Sequence, residues 1–161
     1  MKKSENIVLK SDQLYISDVE RFVEQICDEQ NIYNNYYANI LTSIIEAYTN
    51  AVEHGNKFDA QKNVSIHFVK EQRGLSFIVT DEGEGFDSTS VPDPTDLNNE
   101  GAEGRGIFMI NALADHVEYA NNGSSIKLNF LISSINREVA NKRTEMFQQY
   151  INQSVKKEQE F

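Results

Sequence analysis

One helix constrains this chain more than any other feature. Tyr37, Ile40, Leu41, Ile44, Ile45, Tyr48, Ala51 and Val52 recur with helical period and leave a single apolar face. Glu46 and Asn50 stand four apart on that helix, so they project from the same side one turn apart. A carboxylate there can accept a proton, and a carboxamide oxygen can ligate a hard cation such as Mg2+. The bland alternative is a solvated helix edge. Gly55 reads as the residue that ends the helix.

The remaining segments arrange themselves around this helix. Residues 6–10 read as a short strand, Ser11-Asp12 as a helix cap, and the following helix runs to about Asn31 with Val19, Phe22, Val23, Ile26 and Cys27 on one face. Asn34-Asn35 read as a break before the central helix. Val64, Ile66 and Phe68 alternate with polar residues, and so do Leu75, Phe77 and Val79 after the turn Gln72-Arg73-Gly74. Residues 86–103 form a polar, acidic loop holding both prolines. A short helix from about Gly106 to Ala114 precedes a hairpin of Val117–Ala120 and Ser125–Ile132, turned by Asn121-Asn122-Gly123. Hairpins imply a mainly antiparallel, mixed sheet, and three helices need one face to cover. The expected class is α+β, a two-layer α/β sandwich.

Composition removes whole classes of function. The formal net charge is −10 with no basic stripe, which argues against nucleic-acid binding. No segment approaches a membrane span of roughly 20 apolar residues, and Met1-Lys-Lys-Ser-Glu-Asn lacks the apolar core of a signal peptide. Cys27 is the single cysteine, so no disulfide framework exists and a cytoplasmic location is expected. His54, His67 and His116 lack zinc-site spacing.

Two glycine-bearing segments follow the central helix. Asp81 closes a strand and opens Asp81-Glu-Gly83-Glu-Gly85. A carboxylate held there can accept from an exocyclic amine such as that of adenine, and glycines let backbone approach a flat ligand. The plain alternative is an acidic turn. Gly104-Arg105-Gly106 opens a helix, where unpaired amides and a cation suit a phosphate. The plain alternative is a glycine helix start with Arg105 paired to Glu100 or Glu103.

Glu46-x3-Asn50, Asp81-x-Gly83-x-Gly85 and Gly104-x-Gly106, in this order, resemble the GHKL ATPase superfamily with its Bergerat, histidine-kinase-like fold. Asn-Ala-Val-Glu-His-Gly at 50–55 and Gly-Arg-Gly-Ile-Phe-Met-Ile at 104–110 are similar to the anti-sigma factor serine/threonine kinases within it. The resemblance covers residues 6–132. It implies Glu46 as catalytic base, Asn50 as Mg2+ ligand and Asp81 as the adenine-reading aspartate. It also implies Gly83 and Gly85 under the base, Gly104, Arg105 and Gly106 as the phosphate-binding lid hinge, and Ser124 as a support for Asp81 where the family has threonine.

The implied protein uses ATP and Mg2+, binds a sigma factor, phosphorylates an anti-anti-sigma antagonist, and works as a homodimer. A sequestering module without phosphotransfer and a histidine-kinase-type ATPase domain are the alternatives. Against the latter, no histidine precedes the central helix, and Glu53 stands where that branch commonly has a basic residue. The domain is expected at 1–132. Residues 133–161 read as a helical extension whose stripe Ile135, Val139, Met146 and Tyr150 offers dimer contact area.

Overall fold

The computed structural model describes residues 4–32, 34–85, 109–132, 149–150 and 152–153. The chain divides into two units, Met1–Phe130 and Leu131–Phe161. In the first, strand β1 (Ser4–Lys10) leads through a 3-10 turn (Gln13–Tyr15) into α1 (Ile16–Glu29) and then α2 (Asn34–Asn50). Hairpin β2 (Asn63–Glu71) and β3 (Gly74–Thr80) follows, and later β4 (His116–Ala120) and β5 (Ser125–Leu131). Residues 109–113 are helical. In the second unit, 149–150 and 152–153 are helical, and Tyr150 is exposed. The other residues of the expected tail stripe, and the loop 86–103, lie outside the described residues.

The strands form one sheet in the order β1-β2-β3-β5-β4. Ile7 pairs with Ile66 and Leu9 with Val64, while Phe68 pairs with Phe77 and Val117 with Leu128, all antiparallel. Between β3 and β5, Thr80 Oγ1 meets Ser125 Oγ at 2.8 Å and Asn129 Nδ2 donates to Ser76 Oγ at 2.9 Å. One strand is read backwards as the other is read forwards, so this pair is antiparallel too. The expected mixed sheet is therefore antiparallel throughout its described strands.

Period-2 alternation builds one layer of the core and period 3.6 the other. Val64, Ile66, Phe68, Phe77 and Leu128 are fully buried on the sheet, and Val19, Val23, Ile40, Ile44 and Tyr48 on the helices. Each such side chain contributes about 1.5–3 kcal/mol relative to exposure. Phe77 lies 5.3 Å from Phe68 and 6.4 Å edge-on from Phe130, ring to ring. Cys27 is buried as expected, and burial pushes its thiol up to about 12.

Two boundaries differ from the sequence reading. Asn34 and Asn35 do not break the chain but form the first turn of α2. Asparagine suits both helix starts and turns, so the dipeptide alone left the choice open. At its other end the helical run closes at Gly55 as read, but α2 does not keep its α-helical pitch to that point. It widens into a π-turn, Ala51–Gly55, capped by Asn56, whose N–H donates to Ala51 O at 2.8 Å.

Strand order positions the site. Because β5 sits beside β3, the turn 121–124 lies next to the end of β3. Lys10 pairs with Asn63 and Ser65 with Thr80, so the end of β1, the start of β2 and the end of β3 share that edge of the sheet. Tyr48 holds α2 there: its hydroxyl hydrogen is shared between Lys10 O at 2.9 Å and Asp12 O at 2.8 Å.

Candidate functional site

Glu46 and Asn50 sit half-buried on α2, flanked by the buried Ala47, Tyr48 and Ala51. Neither side chain makes a hydrogen bond or ion pair with another described residue. Helical spacing places them on the same side, and the π-turn begins one residue after Asn50. Such single-turn widenings occur frequently at functional sites, because the extra residue shifts the following side chains around the helix axis.

The end of β3 meets that turn at very close range. The N–H of Asp81 donates to Ser124 O at 2.9 Å, which fixes its backbone to the turn before β5. Its Oδ1 accepts from Gly83 N at 2.8 Å. The carboxylate lies directly over Gly55: a Cβ at Gly55 would stand 2.3 Å from Asp81 Cγ and Oδ2. A Cβ at Gly83 would stand 2.0 Å from Gly55 O. The missing side chains at 55 and 83 are thus required for packing helix end, aspartate and turn against one another. Gly85 adopts φ 80, and a Cβ there would stand 2.1 Å from Asn122 O, so the second glycine of the motif packs on the turn 121–124.

Burial pushes the Asp81 carboxyl above its ordinary range. The Gly83 N–H and the charge of Lys62 pull the other way without cancelling it. The result is a partly desolvated acceptor with one oxygen anchored, at an edge where two elements meet.

Sequence reasoning passed over Asn56. It is 1% exposed. Its Nδ2 donates to Asn63 O at 3.0 Å, and its Oδ1 accepts from Glu82 N at 2.8 Å. Glu82 Oε1 in turn accepts from Asn63 N. The signal available in the sequence was an amide directly after Gly55, where only helix termination had been considered.

Of the expected site residues, the structure brings Asp81, Gly83, Gly85 and Ser124 together at one end of the sheet, while Glu46 and Asn50 lie on the helix whose closing π-turn packs on Asp81 through Gly55. Ser124 supports Asp81 through its carbonyl, while its hydroxyl donates to Asn121 O at 2.9 Å. Gly104, Arg105 and Gly106 lie outside the described residues. Among the described residues no group of three His, Cys, Asp or Glu could hold a metal ion. A cation bound here would therefore draw most of its oxygens from a ligand or water. That is the usual way Mg2+ is held beside phosphates. Among the described residues no helix is long and apolar enough to cross a membrane.

Residues 9–130 match the histidine kinase-like ATPase domain. Serine-protein kinase RsbW of Bacillus subtilis (strain 168) is 36% identical over 88 residues, covering 49% of this chain and 54% of that protein. The chain thus spans about half the length of the curated relative it matches.

Proposed function

The chain belongs to the histidine kinase-like ATPase domain family, and from that premise we propose that it is an anti-sigma regulatory factor, a Mg-ATP-dependent serine/threonine protein kinase. The observation that carries the reading is the Asp81 carboxylate, held by Gly83 over Gly55 at the end of the helix that bears Glu46 and Asn50. The relative is a serine-protein kinase, which supports a protein as the acceptor.

In this reading Asp81 Oδ2 accepts from the exocyclic amine of adenine. Guanine presents a carbonyl at that position, so the same carboxylate rejects it. Asn50 would hold Mg2+ through its Oδ1, and the metal would supply charge neutralisation at the phosphates. The resemblance assigns the phosphates to Gly104, Arg105 and Gly106, and Gly83, Gly85 and Ser124 keep the adenine end in shape. Glu46 takes the proton of the acceptor Ser or Thr hydroxyl as its oxygen bonds the γ-phosphorus and ADP leaves. Glu46 has no structural partner among the described residues, which favours this role over a sequestering module that has no use for a base. The acceptor is an anti-anti-sigma antagonist, and a sigma factor is the sequestered partner of a cytoplasmic homodimer.

The test is incubation with labelled ATP and Mg2+ together with a candidate antagonist. The parent is expected to transfer label to Ser or Thr. Glu46→Gln is expected to retain nucleotide and to lose about 10²–10⁴-fold in rate. Transfer at the parental rate in Glu46→Gln removes Glu46 from the mechanism. Nucleotide binding with no transfer to any antagonist leaves the sequestering module.

A further inference from the structure

Among the described residues, the side chains assigned to nucleotide chemistry come from two elements, Glu46 and Asn50 from α2 and Asp81 from the end of β3. Catalysis and base reading both require a fixed distance between them. The buried carboxamide of Asn56 spans that junction. It joins the end of the π-turn to the first residue of β2 through Asn63 O, and to the residue after Asp81 through Glu82 N. With the bond from Asn63 N to Glu82 Oε1, three residues close a ring of hydrogen bonds.

The amide orientation follows from its partners, since a carbonyl oxygen can only accept and a backbone N–H can only donate. Both ends of the side chain are used, one as donor and one as acceptor. Aspartate lacks the donor, and leucine lacks both. The Glu82 N–H is the middle of the turn whose two ends are Asp81 and Gly83, the residues joined by the bond to Asp81 Oδ1. The residue before Asn56, Gly55, supplies the carbonyl against which Gly83 packs.

We infer that Asn56 is a positioning residue that sets the adenine-reading Asp81 against the metal-side Asn50. The inference rests on the nucleotide reading above. Its consequence is specific: without Asn56 the turn loses its anchor, and the base discrimination exercised by Asp81 degrades before the fold does.

The experiment is calorimetric titration of Mg-ATP and Mg-GTP into the full chain, at a temperature where circular dichroism shows each variant folded. Asn56→Ala is expected to lose roughly tenfold in the ATP-to-GTP affinity ratio, the scale of one hydrogen bond. Ile26→Ala, a comparably destabilising change in α1, is expected to keep the parental ratio. An unchanged ratio in Asn56→Ala, or an equal loss in Ile26→Ala, overturns the inference. Should Asn56→Ala not fold, Glu82→Ala carries the test: its side chain is exposed, and it opens the same ring. A several-fold lower ratio is expected there, and an unchanged one overturns the inference. A parent that does not prefer ATP, or an Asp81→Asn variant that keeps the preference, overturns the nucleotide reading instead.

Discussion

Gly83→Ala isolates the contact on which the site depends. The added Cβ would stand 2.0 Å from Gly55 O, 2.7 Å from Gly55 C and 2.9 Å from Asp81 Oδ1. Comfortable separations between such atoms are about 3.5 Å. Two of the three atoms are backbone, so no rotamer change relieves the overlap. Either the end of β3 or the end of the π-turn must retreat by more than about 1 Å, and overpacking of this kind costs about 1–3 kcal/mol. The upper end of that range is expected, because both elements are also tied by Asn56 and by Asp81 N to Ser124 O. In a chain of this size, about 3 kcal/mol lowers Tm by roughly 6–12 °C. Nucleotide affinity should fall at least about tenfold, since the Gly83 N–H that orients Asp81 moves with the backbone. Thermal unfolding by circular dichroism and titration with Mg-ATP read the two effects, with the exposed neighbour change Glu84→Ala as control, expected within about 0.5 kcal/mol of the parent. A Gly83→Ala protein with parental Tm would refute the close packing from which the site is built.

Three further outcomes follow from burial. Phe77→Ala removes a fully buried ring between Phe68 and Phe130 and should cost about 3–5 kcal/mol in urea unfolding. Cys27, buried with its thiol pushed up to about 12, should react with a disulfide reagent only as fast as the chain opens, and at once in denaturant. The folded pKa of Asp81 is raised above 3.8, so its ionised form opposes folding; that cost is absent in acid and appears as pH rises through the folded pKa. Asp81→Asn should therefore be more stable than the parent near neutral pH, with the gap closing on acidification, as thermal melts at several pH values would show.

The layers were legible in the sequence because each rests on a period: alternation at Val64, Ile66 and Phe68, and the helical recurrence of Ile40, Ile44 and Tyr48. Period says nothing about how an element ends. The π-turn after Asn50 was invisible, since Ala51–Gly55 carries residues that an ordinary last turn would also accept. Gly55 accordingly read only as the end of the helix, whereas its need for no side chain comes from Asp81, distant in sequence. Asn56 and the Tyr48 hydroxyl were missed for the same reason: their partners, Asn63, Glu82, Lys10 and Asp12, are set by strand order and not by spacing. Glu46, Asn50 and Asp81 were singled out because three short motifs in fixed order narrow the reading more than any one of them.

The central claim is that the edge formed by Asp81, Gly55 and Gly83 beside Asn50 is an adenine nucleotide site. Parallel calorimetric titration of Mg-ATP into the parent and into Asp81→Asn tests it most directly. The account predicts saturable binding at one site per chain in the parent, with affinity lower in Asp81→Asn by the roughly 1.5–3 kcal/mol of a hydrogen bond to a charged group. Equal affinity in the two proteins, or no heat of binding in the parent, would contradict it.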